Sequence, residues 1–150
     1  MKINTKYFSE IEIADDDVYR FPEGIPGFEN EKEFVIIYNE DKKSPFQWLQ
    51  SVINSNLAFV AIDPFSIIPE YEVEVPDDEV EMLGIHDITD VSLLAIVVVP
   101  DDFSKISANL LAPIIMNTKN HLAKQITMNT NKYKIRQYII DELRTRGGQD

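Results

Sequence analysis

Nearly all the side chains in this chain that could do acid–base chemistry are carboxylates. The sequence has 26 aspartates and glutamates, two histidines and no cysteine. Two carboxylates facing one another could hydrolyse a glycoside, and adjacent acids occur at Asp77-Asp78 and Asp101-Asp102. Both pairs follow a proline, where turns and helix starts use acids routinely. Nothing singles out two of the acids, so a carboxylate-dependent hydrolase of unknown substrate stays the alternative function.

The other signatures of catalysis or ligand binding are missing from the sequence. His86 and His121 fall in polar turns and lack the spacing of a zinc motif. The run Asp15-Asp16-Asp17 lacks the alternating ligands and the glycine of an EF-hand loop. No P-loop, dinucleotide-binding glycine pattern or nucleophile-elbow serine is present. We therefore expect a protein that is not an enzyme, with no catalytic residue, no cofactor and no metal.

The negative charge is concentrated in one part of the chain. Residues 1–100 carry 21 acids and six bases, a balance of −15, whereas residues 101–150 carry five acids and eight bases, a balance of +3. The stretch from Glu70 to Asp90 holds nine acids and no Lys or Arg. Such a surface repels nucleic acid and attracts basic proteins. Acidity of this kind can also serve solubility alone.

Alternation predicts which of these acids face outwards. Glu70, Glu72 and Glu74 alternate with apolar residues, so on a strand they share one face. Asp78 and Glu81 are three residues apart, so on a helix they also share a face. These five carboxylates are the predicted partner-binding residues.

The segment Phe21 to Glu29 contains two prolines and two glycines. Neither a helix nor a paired central strand can run through it. We expect an ordered loop pinned by buried rings at Phe21 and Phe28. Rigid loops on a β scaffold often carry binding, so Ile25 and Phe28 are the rival partner-binding residues.

The remaining pattern predicts a mainly β fold. About ten short segments have the alternation or β-branched content of strands. They are 3–7, 11–13, 18–21, 34–38, 46–52, 57–62, 71–75, 91–99, 106–110, 114–117 and 124–128. One short internal helix is predicted from Asp77 to Leu83, closed by Gly84. The result is a compact, antiparallel, barrel-like single domain over residues 1–150.

Both chain ends carry predictions of their own. In the tail from about residue 129, the spacing of Ile135, Tyr138, Ile139 and Leu143 favours a short amphipathic C-terminal helix, frayed after Gly147. The N-terminus has no apolar run of a signal peptide. The longest apolar run, Leu93 to Val99, is too short to cross a bilayer. These features predict a cytoplasmic protein without membrane contact.

Several segments resemble one known family in the same order. Residues 21–29 (FPEGIPGFE), 46–51 (FQWLQS), 61–65 (AIDPF) and 108–117 (ANLLAPIIMN) resemble segments of the flagellar assembly factor FliW family. The resemblance covers about residues 1–126. It implies a β-rich, barrel-like fold and a non-enzymatic protein with two partners. These are flagellin and CsrA, an RNA-binding translational regulator that family members antagonise. It assigns no contact residue to either partner and implies no direct nucleic-acid binding.

Overall fold

Short antiparallel strands make up most of the regular structure in residues 1–140, the part of the chain that this computed structural model describes. The strands are β1 Lys2–Asn4, β2 Glu10–Glu12, β3 Val18–Arg20, β4 Glu33–Ile37, β5 Phe46–Ser51, β6 Ala58–Ile62, β7 Val91–Val98, β8 Ser107–Ala108, β9 Ile114–Asn117, β10 Ala123–Gln125 and β11 Gln137–Tyr138. The helix α1 spans Asp77–Met82. The predicted mainly β class is confirmed.

One sheet contains nine of these strands. Its main path runs β10-β9-β7-β6-β5-β4-β3, with β8 pairing to β7 and β11 pairing to β8. The first two strands form a separate hairpin in which Ile3 lies opposite Ile11. The two ends of the main path meet at a single bridge, where the Arg20 N–H donates to the His121 carbonyl. No ladder among residues 1–140 closes the sheet, so the expected barrel is an open one.

Both faces of the central strands are covered. Ala61 of β6 and Leu94 of β7 lie in one buried cluster with Phe21, Ile25 and Phe34. The neighbouring positions Ile62 and Ala95 lie in a second cluster. Side chains alternate across a strand, so the near-continuous apolar sequence of β7 serves two cores, as its composition predicts.

The internal helix forms where the sequence predicts it. Pro76 precedes the first turn, and Asp77, Asp78 and Glu79 place negative charge at the positive end of the helix dipole. Gly84 follows the helix with φ +67°, the left-handed conformation that glycine adopts without steric cost. The helix packs through Leu83, which is 1% exposed.

Several predicted elements differ from the structure. Residues 71–75 form no strand in the described part of the chain, but their alternating burial and the alternate N–H groups of Glu72 and Glu74 on Tyr133 and Met128 indicate an extended chain. The predicted C-terminal helix is wrong for residues 135–139, because Gln137–Tyr138 form β11 against Ser107–Ala108. Leu143 and residues 147–150 lie outside the described residues. The predicted strands 3–7, 106–110 and 124–128 are shorter than expected because loop contacts replace their ends.

No helix in residues 1–140 is both long enough and apolar enough to cross a bilayer.

Candidate functional site

The acidic segment, residues 70–90, runs across the surface in three parts. After Glu70, which lies in a turn, it continues as the extended stretch 71–76, then as α1, and ends in a 3-10 turn at Ile88–Asp90. Seven of its nine carboxylates are exposed: Glu70, Glu72, Glu74, Asp77, Asp78, Glu81 and Asp87. The structure therefore places all five predicted acidic contact residues where a partner can reach them. That a partner binds them stays a prediction.

One of these exposed carboxylates, Glu72, forms an ion pair with a lysine. Lys132 donates a hydrogen bond to Glu72 Oε2 at 2.6 Å, and both side chains are more than 60% exposed. This hydrogen bond, and then the positive charge itself, holds the pKa of Glu72 below its usual value. Glu70, in the turn before the extended stretch, and Glu74 take part in no ion pair with residues 1–140, although Lys132 also attracts Glu74. They contribute more unscreened charge to the surface than Glu72 does.

Lys124 joins the acidic segment to the proline loop, which is the segment Phe21 to Glu29. Its Nζ lies 2.7 Å from Glu23 Oε2 in the loop and 2.8 Å from Glu79 Oε1 in α1. Hydrogen bonds to Glu23 and then Glu79 raise the pKa of Lys124 above its ordinary value, although partial burial opposes this. The second oxygen, Glu79 Oε2, is buried without a hydrogen-bond partner among residues 1–140. Sequence reasoning placed Lys124 at the start of the predicted strand 124–128 but gave it no role, because its two acidic partners are distant in the sequence.

An apolar groove of about 650 Å³ lies beside the acidic segment. One wall is the extended stretch, with Tyr71, Val73 and Val75. The facing residues come from the loop before β7 and from the start of β7. Those residues are Ile85, His86, Asp87, Ile88, Val91, Ser92 and Leu93. Sequence reasoning missed the groove, because it expected strand pairing to cover residues 71–75.

Tyr71, which lines the groove, is held in place by a hydrogen bond and an aromatic contact. Tyr71 donates a hydrogen bond to the Leu110 carbonyl, and its ring lies 4.6 Å from the ring of Tyr133. Burial, and then the nearby Tyr133, raise the pKa of Tyr71. The phenol therefore stays neutral and acts as a fixed donor that anchors the extended stretch at one end.

The proline loop separates its two predicted contact residues. Phe21 is fully buried and packs edge-on against Phe34 at 5.2 Å between ring centroids. Ile25 is only 2% exposed and lies in the same core. Phe28 is 42% exposed, although its ring contacts Phe59 at 5.3 Å. The expectation that Phe28 is a buried pin is therefore wrong, and Ile25 is not a surface contact.

His121 and Asp102 make structural contacts, whereas His86 is exposed at the apolar groove. His121 stacks on Tyr19 at 4.4 Å, and its Nδ1 lies 3.2 Å from the Val18 carbonyl oxygen. Asp102 accepts hydrogen bonds from Ser104 at the start of a 3-10 turn. Within residues 1–140 no cluster of three or more His, Asp or Glu side chains is arranged to hold a metal ion. No arrangement here favours the hydrolase alternative.

Gln50 is a buried polar side chain at the end of β5. Its side chain is fully buried, accepts from the Lys6 N–H at 3.0 Å and donates to the Ser51 and Leu57 carbonyls. It thus satisfies buried backbone groups between the hairpin and β5.

Comparisons with known proteins all point to one family. Residues 2–139 match the family model described as "FliW protein", which extends the match beyond the 126 residues of the sequence resemblance. The chain is 48% identical over 143 residues to the flagellar assembly factor FliW of Ruminiclostridium cellulolyticum, covering 95% of this chain and 97% of that protein. It is 42% identical to the FliW of Alkaliphilus metalliredigens, covering 95% and 88%. A crystal structure described as that of the flagellar assembly factor FliW superposes with a TM-score of 0.86 at 43% identity, covering 93% and 97%.

Proposed function

This chain belongs to the FliW family of flagellar assembly factors, and from that premise we propose that it binds flagellin and binds and antagonises CsrA. The proposal is of a protein that works by binding and not by catalysis. In this scheme the free protein sequesters CsrA and relieves repression of flagellin translation. Flagellin that accumulates then takes up the protein and releases CsrA.

The observation that carries the proposal is the exposed acidic segment. Glu70, Glu74, Asp78 and Glu81 present carboxylates at the surface next to an apolar groove. An RNA-binding regulator carries a basic surface, which a carboxylate surface attracts over a distance. The same negative charge disfavours RNA on a complex of the two proteins. Because CsrA and newly made flagellin are cytoplasmic partners, the proposal places the protein's action in the cytoplasm.

Phe28 in the proline loop supports a second contact. A partly exposed aromatic side chain held on a rigid loop is a typical binding anchor. The loop is tied to α1 through Lys124, so a partner that spans both would meet a preorganised surface.

The proposal is tested by following CsrA on a labelled flagellin leader RNA in a gel-shift assay. Adding the purified protein should release the RNA in proportion to its concentration, and adding purified flagellin should restore the CsrA–RNA complex. Failure to release RNA at a several-fold excess over CsrA contradicts the antagonism. Release that flagellin does not reverse contradicts the partner exchange.

A further inference from the structure

The extended stretch 71–76 has the form of a strand with one edge unpaired. The Glu72 N–H donates to Tyr133 Oη at 2.8 Å, and the Glu74 N–H approaches Met128 Sδ at 3.4 Å. Successive N–H groups of an extended chain point to opposite sides. The N–H groups of Val73 and Val75 therefore point away from Met128 and Tyr133. Neither group has a hydrogen-bond partner among residues 1–140.

The facing wall of the groove also presents an open edge. β6 pairs with β7 only from Ala95 to Val97 and ends at Ile62. The Ile96 carbonyl accepts from the Asn109 N–H on the opposite side of β7, so the odd-numbered residues of β7 direct their backbone groups towards β6. At Leu93 β6 has already ended, and the 3-10 turn Pro64–Ser66 that follows it contacts β7 without pairing with it as a strand.

The groove between these two edges is apolar on its floor and acidic around it. Val73, Val75, Val91 and Leu93 line it. Ile88 at its rim is 85% exposed, an unusual exposure for a large aliphatic side chain. Asp87 on the rim, and Glu72 and Glu74 on the outer face of the extended stretch, are exposed carboxylates. An open edge beside an apolar groove is the arrangement that binds peptides by strand addition.

We propose that the groove binds an extended segment of a partner protein, which adds as a strand along Val73 and Val75 and carries apolar side chains alternating with Lys or Arg. The alternation follows from the geometry, since one face of the added strand lies with Val73 and Val75 and the other lies with Glu72 and Glu74. The inference rests on the proposed function in taking the acidic segment as a partner surface, and it adds the form that the partner takes.

The negative charge of the extended stretch favours a basic segment of a partner protein over a second copy of this chain. If two copies paired through this stretch, Glu72 and Glu74 of each copy would face the same carboxylates of the other. Like charges opposite one another on paired strands are destabilising, and charged residues on an edge are a common protection against self-association. A basic alternating segment turns the same charges into attraction.

The test uses synthetic peptides and no natural partner, so its failure is distinct from failure of CsrA or flagellin binding. The probe is a six-residue peptide in which lysine alternates with valine. The matched control has three valines followed by three lysines, with the same composition and charge. Amide hydrogen exchange at Val73, Val75 and Leu93 is followed by NMR on the full chain. At a probe concentration of about ten times its Kd, exchange at Val73 and Val75 should slow about tenfold, and the control peptide should leave it unchanged.

Two further measurements separate strand addition from simple charge attraction. Probe peptides N-methylated at all valines, or at all lysines, lose one row of backbone donors. At least one of the two should bind about tenfold more weakly. The Glu74→Lys variant should also bind the probe more weakly, whereas Glu40→Lys, the same charge change in the exposed loop after β4, should not.

Four outcomes would overturn the proposal. They are equal protection by both peptides, binding without slowed exchange at Val73 and Val75, unchanged binding of both N-methylated probes, and protection of these amides before any peptide is added. The second outcome would indicate a helix or another shape in the groove. The last would indicate that residues 141–150 or a second copy already occupies it.

Discussion

Among single residues, Lys124 makes the contacts that join two otherwise separate parts of the surface. It is bound to Glu23 of the proline loop and Glu79 of α1, and Glu79 has only 18% of its side chain exposed. Removing one partner of a half-buried ion pair leaves an uncompensated charge. We expect Lys124→Met to lower the free energy of unfolding by about 1–3 kcal/mol, between the values typical of exposed and buried pairs. Urea denaturation measures this loss.

The pH dependence of that loss follows from the direction of the pKa shift. The Lys124 pKa is raised in the folded protein, so its contribution is fully present below the unfolded pKa of about 10.4. It is lost as the pH rises through the higher folded value. The difference between Lys124→Met and the parent should thus be constant at neutral pH and shrink in the alkaline range. The control is Lys132→Met, which breaks the exposed pair with Glu72 and should cost less. Equal losses for the two variants would contradict the bridging role.

Gln50 supports a second prediction about single residues. Its amide donates to the Ser51 and Leu57 carbonyls and its oxygen accepts from the Lys6 N–H, all around a fully buried side chain. Gln50→Leu keeps the size but removes the partner of the Lys6 N–H and of the Ser51 carbonyl, whereas the Leu57 carbonyl keeps its hydrogen bond from the Ser51 N–H. We therefore expect a loss of about 1–3 kcal/mol in unfolding free energy. The same measurement on Gln47→Leu, a less buried position on the same strand, should give a clearly smaller loss. An unchanged free energy of unfolding for Gln50→Leu would mean that water replaces the amide.

Among the elements, the proline loop is held by a glycine that tolerates no side chain. Gly24 has φ +67°, and a Cβ there would lie 2.6 Å from backbone atoms of Glu29. Gly27 has φ +88°, but a Cβ there would meet nothing within 4 Å. Both alanine variants incur the left-handed strain of about 1–2 kcal/mol, and only Gly24→Ala must also displace backbone. We expect Gly24→Ala to have the lower Tm in thermal unfolding by circular dichroism. Equal Tm values for the two variants would show that the loop relaxes freely.

The acidic segment and β7 show where reasoning from the sequence succeeds. Alternation predicted correctly that Glu72 and Glu74 face outwards and Tyr71 inwards, because a side chain's direction in an extended chain is a local property. Glu70 is exposed too, but it lies in a turn and not on the predicted strand. Capping signals placed α1 for the same reason. The near-continuous apolar sequence of β7 was enough to predict that other parts of the protein cover both faces of this strand.

The predictions that are wrong concern features set by contacts between residues that are far apart in the sequence. Pairing of residues 71–75 requires a neighbour that the chain does not supply in its described part, and alternation cannot report this. Ile25 and Phe28 are both apolar loop residues, and only the packing of the loop onto Phe34 decides that one is buried and the other is not. Ile135 and Tyr138 have helical spacing, but pairing of β11 to β8 overrides it. Lys124 gains its role from two acids that lie 101 and 45 residues earlier in the chain.

Over the whole molecule, the net charge of −12 conceals an asymmetry with consequences for binding. The acids of the acidic segment concentrate negative potential on one part of the surface, but Lys132 neutralises the charge of Glu72 locally. Reversing Glu72 would therefore also set two lysines against each other. Glu70 and Glu74 form no ion pair with residues 1–140, although Lys132 also attracts Glu74. Reversing these two residues therefore breaks no ion pair when long-range attraction is tested.

Exposed charges of this kind accelerate encounter more than they hold a complex together. We therefore expect the double variant Glu70→Lys, Glu74→Lys to associate with CsrA about tenfold more slowly at low salt, with a weaker dependence on ionic strength and a smaller change in dissociation rate. Stopped-flow fluorescence over a range of salt concentrations measures both rates. The matched control, Glu12→Lys with Glu40→Lys, makes the same change in net charge at exposed positions outside the acidic segment. If both double variants slow association equally, net charge and not the acidic segment steers the encounter. If neither does, while Phe28→Ala weakens binding in a folded protein, the proline loop is the contact surface.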